Sequence, residues 1–162
     1  TPEPTPTEAA SPTPSGSASA GTTAACFGSS DTKDFFSSFA QAVPWPVYCA
    51  VLPKGWSGEK GSYRLRDGGH LTISYRRRAD GARLVLSEGS LCHDPTPCVP
   101  SGSGAGTTPF GDREAELIAT TDPAGFAAVV DEDQDPSWLL TGTAIDEAEF
   151  RTIAAALYLI DE

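Results

Sequence analysis

The chain has no methionine, only two histidines, and half as many basic residues as acidic ones, 11 against 22. Its longest apolar run, Ile153 to Ile160, is far shorter than the roughly 20 residues that cross a bilayer as a helix. The two imidazoles, His70 and His93, are the only histidine bases available to a nucleophilic mechanism, and the sequence contains no G-x-S-x-G elbow. It also lacks a C-x-x-C pair and an H-x₃₋₅-H pair, which argues against a standard zinc site, although Cys92, His93, Cys98, Cys49 and His70 have the right chemistry to be ligands. Gly102, Gly104 and Gly106 are not followed by the Lys-Ser/Thr of a phosphate loop, so they read as flexible loop. With a net charge of −11, nucleic acid is not the expected partner. No cofactor is expected.

What is present divides at about residue 25. Residues 1–25 consist mainly of Thr, Pro, Ser and Ala and contain no aromatic or large aliphatic side chain. Such a segment has too little apolar surface to offset its ordering entropy, and it reads as a disordered tether. Residues 26–162 are read as one α+β domain. The absence of a leader and an initiator methionine predicts a mature or truncated form whose export signal lay upstream. All four cysteines (Cys26, Cys49, Cys92, Cys98) fall after the tether. An even count behind such a stalk predicts two disulfides made in an oxidising compartment. The favoured pairing is Cys92–Cys98 with Cys26–Cys49, which chain entropy values at about 2.4 and about 3.4 kcal/mol.

Periodicity predicts an N-terminal helix capped by Asp31, with Phe35, Phe36, Phe39 and Val43 on its apolar side and Pro44 ending it. Seven antiparallel strands are expected at Val47–Leu52, Ser62–Arg66, His70–Arg78, Ala82–Ser87, Arg113–Thr120, Phe126–Val130 and Ser137–Thr141. A long loop is expected at 88–111. Asp146 and Glu149 form a capping box for a closing helix, with Ile145 and Phe150 as its staple. Phe150, Ile153, Leu157 and Ile160 would line one side of that helix. The sum is a curved antiparallel sheet of six to seven strands with an N-terminal and a C-terminal helix.

Period-2 alternation places Leu71, Ile73 and Tyr75 on one face of the middle strands and Thr72, Ser74, Arg76 and Arg78 on the other. Arg64, Arg66 and Arg83 would join the second group. Together, Arg64, Arg66, Arg76, Arg78 and Arg83 form a candidate face for anions or for a partner, since guanidinium forks suit carboxylate, sulfate or phosphate. Against this stands a solvated face neutralised by Asp131, Glu132, Asp133 and Asp135. That acidic run begins like a calcium loop but has Pro136 and Gly142 where the loop needs Gly and Glu. Trp45 and Trp56 are candidate aromatic contacts, and Trp45, between two prolines, is expected to be the more exposed.

Leu52-Pro53-Lys54-Gly55-Trp56, the strand Leu71–Tyr75, and Trp138 ahead of Asp146–Ala154 carry a family likeness. Residues 47–160 resemble extracytoplasmic domains of unknown function in actinobacterial and other Gram-positive lipoproteins, and in anti-sigma-factor-like or sensor membrane proteins. The resemblance implies an anchored, non-enzymatic module and assigns no binding residues. The expected function is non-catalytic binding or sensing of an unidentified envelope ligand or protein partner. The domain would be monomeric, extracytoplasmic, and secreted or lipid-anchored near a membrane by a segment outside this chain. A hydrophobic-ligand carrier and an envelope hydrolase are the alternatives.

Overall fold

Alternating strands at the middle, apolar runs beside them and polar edges build a seven-stranded antiparallel sheet, and two helices cover one of its faces. The computed structural model describes residues 23–91 and 99–160. In chain order the elements are α1 (Ser30–Ala42), β1 (Val47–Cys49), β2 (Trp56–Arg64), β3 (His70–Arg77), β4 (Arg83–Gly89), β5 (Gly102–Phe110), β6 (Arg113–Thr121), β7 (Ala124–Val130), β8 (Ser137–Thr143), α2 (Glu147–Ala155) and β9 (Tyr158–Ile160). The main sheet runs β2-β3-β4-β8-β7-β6-β5, and β1 with β9 forms a separate two-stranded sheet. Two meanders, β2 to β4 and β5 to β8, thus join where β4 pairs with β8.

The covered face carries Leu71, Ile73 and Tyr75 from β3, Leu84 and Leu86 from β4, and Trp138 and Leu140 from β8. Phe36 and Phe39 of α1 and Phe150 and Ile153 of α2 close over it in one core cluster. On the opposite face a smaller group, Ile118, Ala127, Val129 and Leu139, is covered by Leu91 and Val99.

Several expectations need correction. The described chain opens with a disulfide-tied turn rather than with a helix, and Ser29, not Asp31, caps α1 by accepting from the Thr32 amide. Residues 47–49 belong to the small sheet, because the closing helix stops at Ala155 and the chain continues as β9 to pair with β1. Leu157 and Ile160 therefore face the core from a turn and a strand, not from a helix. The expected loop at 88–111 contains the edge strand β5. Glycine-rich composition concealed it, yet pairing demands glycine here, since a Cβ on Gly102 would lie 2.2 Å from the Ala119 carbonyl oxygen. Pro109 is tolerated because an edge strand leaves one row of backbone donors unpaired. Strand β2 begins at Trp56 rather than Ser62; its exposed glycines and charges hide an edge strand that long-range pairing with β3 completes.

One disulfide, Cys26–Cys49, is present among the described residues, and it is a bond of oxidising compartments. The Cys92–Cys98 pairing and His93 lie outside the described residues. No helix among the described residues is long and apolar enough to cross a membrane. Asp146 caps α2, its carboxylate accepting from the Glu149 amide at 2.8 Å. Asp146→Ala should cost about 1 kcal/mol, a fall in Tm of about 3 °C by calorimetry. An unchanged Tm would mean that packing of Phe150 alone fixes the helix start.

Candidate functional site

Strand register decides where each predicted arginine sits. On the open face, β2 and β3 pair Arg64 with His70, Ser62 with Thr72 and Ser57 with Arg76, and Arg76 in turn faces Arg83 of β4. His70 and Arg76 are six residues apart on one strand, roughly 20 Å. The five arginines therefore do not form one patch. Arg76 and Arg83 lie at one end and Arg64 at the other. Arg66 falls past the end of β2 in the hairpin turn, and Arg78 past the end of β3.

The paired arginines are neutralised locally, though not by the acidic run expected to do so. A bulge in β2 between Gly58 and Lys60 brings in Glu59. Its carboxylate takes Arg83 at 2.9 Å and Arg76 at 4.0 Å. Arg77, in phase with Leu71 and Tyr75, turns to the covered side, lies over the Trp56 ring at 4.9 Å and bridges Asp80 and Glu149. Arg113 reaches Asp131 and stacks on Trp138, and Arg151 takes Glu147. Arg64, Arg66 and Arg78 are exposed and have no acidic partner among the described residues.

His70 is half-buried, and its Nε2 shares a hydrogen bond of 3.0 Å with Thr72 Oγ1. Burial first, and then the Arg64 charge, hold the imidazole below its ordinary value. Ser62, Tyr63, Arg64, His70 and Thr72 line a depression of about 170 Å³. Among the described residues the ring's hydrogen-bond partner is Thr72, and no carboxylate bonds it.

Neither candidate aromatic contact is open to solvent. Trp56 is 5% exposed and capped by Arg77. Trp45 is half-buried rather than exposed: it stacks edge-on with Phe39 and Trp138 and donates to the Gly68 carbonyl at 3.0 Å. Gly69 and Gly89, both at positive φ, permit this close approach; a Cβ on Gly89 would lie 2.8 Å from the indole. The apolar side chains left open beside them are Tyr63, at 43% exposure, and Leu65, at 52%.

In the acidic run, Asp131 is held by Arg113 and Asp135 accepts from the Ser90 hydroxyl. Burial, then Asp133 and Glu116, push the Glu132 carboxyl up. Among the described residues no three potential ligands gather as a metal site, and Cys49 is committed to its disulfide. The covered face, where a carrier would hold its ligand, is filled by Phe36, Phe39, Tyr48, Tyr75, Phe110 and Trp138.

Three residues of consequence escaped the sequence reading, and each had a visible signal. Arg77 and Glu88 lie in phase with their strands' apolar residues, which places them on the covered face. Glu59 sits between two glycines in a charged stretch that marks an edge strand. Comparisons with family models, with curated proteins and with solved structures returned no match to this chain.

Proposed function

We propose that this chain is a non-catalytic extracytoplasmic binding or sensing domain, displayed from the cell envelope on its Thr/Pro/Ser/Ala segment. It engages acidic groups of an envelope ligand or partner through the β2–β3 hairpin. One observation carries the reading: of eight arginines, the three without an acidic partner among the described residues are Arg64 and Arg66 at the turn end of this hairpin and Arg78 just past β3 at its other end. In a chain of net charge −11, unpaired guanidinium groups at the two ends of this hairpin favour an anionic partner there, while the acidic remainder of the chain repels it elsewhere. The disulfide supports the compartment. The filled covered face favours binding on the outside over carriage within.

Changing Arg64, Arg66 and Arg78 together to Ser should weaken salt-sensitive association with envelope fractions by tenfold or more, at about 1.5 kcal/mol or above per charged hydrogen bond lost. Changing Arg76 and Arg83, already held by Glu59, should alter it far less. Undiminished association of the triple variant would reject the reading.

A further inference from the structure

We propose that Arg64, His70, Ser62 and Thr72 form a proton-tuned site for a single tetrahedral oxyanion, sulfate or phosphate, on the open face of the β2–β3 hairpin. The assignment rests on the basic-hairpin reading above and names the ligand class of that surface.

The geometry begins with register. Arg64 and His70 are direct cross-strand partners, and Ser62 and Thr72 are the next pair on the same face. Such neighbours hold their Cβ atoms roughly 5 Å apart, so a fork, an imidazole and two hydroxyls converge on the depression they line. None of the lining side chains is an acid. The nearest acid of β2 on this face, Glu59, is engaged with Arg83 and Arg76 toward the far end of the strand. From β4 the face receives Ser87 and Gly89, while Glu88 between them projects into the core. The hairpin turn adds Arg66 and Asp67, both exposed.

The hydrogen bond between His70 and Thr72 supplies the tuning. When Nε2 carries a proton it donates to Thr72 Oγ1, which leaves the threonine O–H free to donate to an anion. A doubly ionised oxyanion offsets the two causes that keep the ring neutral, its burial and the Arg64 charge. Proton and anion binding are therefore linked: each strengthens the other by the same factor. The anion binds more tightly as the pH falls through the imidazole range.

The test follows the ring proton of His70 by NMR in a His93→Gln chain, where it is the sole imidazole. The pH titration is run in sulfate, in phosphate and in chloride at matched ionic strength, because screening alone relieves repulsion from Arg64. The pKa should rise in sulfate by about one unit over chloride, equivalent to about tenfold tighter binding to the charged ring. Arg64→Gln, at an exposed position, should abolish the difference, and Arg83→Gln should preserve it. Identical titrations in sulfate and chloride would overturn the site. If envelope association still depended on Arg64, Arg66 and Arg78, that result would leave the functional reading standing. Vesicles of phosphatidylglycerol distinguish the sources. A His70 shift with these vesicles, absent with phosphatidylcholine, identifies a lipid headgroup as carrier of the oxyanion; a shift with inorganic anions alone identifies a free one.

Discussion

Glu88→Gln should stabilise the domain at neutral pH and remove much of a fall in stability that the wild-type chain shows as pH rises. Glu88 lies on the covered face of β4, in a cross-strand row between Leu71 and Trp138. It is 0% exposed. Its Oε1 accepts from the Tyr48 amide at 2.7 Å, whereas Oε2 has no partner. No cation among the described residues pairs with it: Tyr48 and the buried Tyr75 phenol face it, and Asp112 and Arg113 act on the Tyr48 hydroxyl. Burial therefore pushes the carboxyl well above its usual range, against the smaller downward pull of the Tyr48 amide.

A raised carboxyl reverses the usual dependence of an ion-paired Asp or Glu. Above the ordinary glutamate value the unfolded chain has released this proton and the folded chain still holds it. Stability then falls with rising pH, by up to about 1.4 kcal/mol per unit, until the folded carboxyl also ionises. Gln keeps the acceptor for the Tyr48 amide and does not titrate. Urea unfolding between about pH 5 and 8 should show the two proteins diverging, with the glutamine variant the more stable at the upper end. Parallel curves, or a variant weaker than wild type at neutral pH, would contradict a neutral Glu88. Glu132 is also raised and contributes a slope of the same sign to both proteins.

Replacing Cys26 and Cys49 with Ala should cost about 3.4 kcal/mol by the loop-entropy relation. For a domain of this size that is a fall of about 10 °C in Tm. The bond spans 23 positions and encloses all of α1. It also fastens the N-terminal turn, where the Phe27 amide bonds to the Ala50 carbonyl and Lys33 reaches the Ala24 carbonyl. Both cysteines are buried, so alanine avoids placing a polar group in the core. Calorimetry of the double variant, with Cys92→Ala/Cys98→Ala as comparison, isolates this contribution. A change below about 2 °C would show that the packing of Phe36 and Phe39 orders the segment without the cross-link.

Local patterns carried much of this architecture. The alternation in β3 and β4 was readable because those strands have one polar and one apolar face, whereas β7 and β8 were readable as short apolar runs buried on both faces. The cap at Asp146 was readable because its hydrogen bond closes within one turn. Edge strands were read only in part: Ser62–Arg66 was expected, but the glycine-rich start of β2 and the whole of β5 become strands only through their partners. The last residues read as helix because Leu157 and Ile160 keep a helical spacing. The free edge of β1 captures them instead, and β1 is distant in sequence. The candidate site divides in the same way. Alternation told which arginines share a face, but not that six residues of strand separate Arg64 from Arg76, nor that a bulge supplies Glu59 to Arg76 and Arg83 and leaves Arg64 and Arg78 unpaired among the described residues.

By itself the sequence determined a Thr/Pro/Ser/Ala segment ahead of an antiparallel α+β domain, cysteines suited to an oxidising compartment, and arginines gathered in the middle of an acidic chain. These follow from composition and period, which neighbouring residues alone establish. The tertiary structure decided the strand order, the burial of Glu88, and which arginines keep a free charge. Those depend on contacts between residues far apart in the chain, where burial and pairing outweigh local preference.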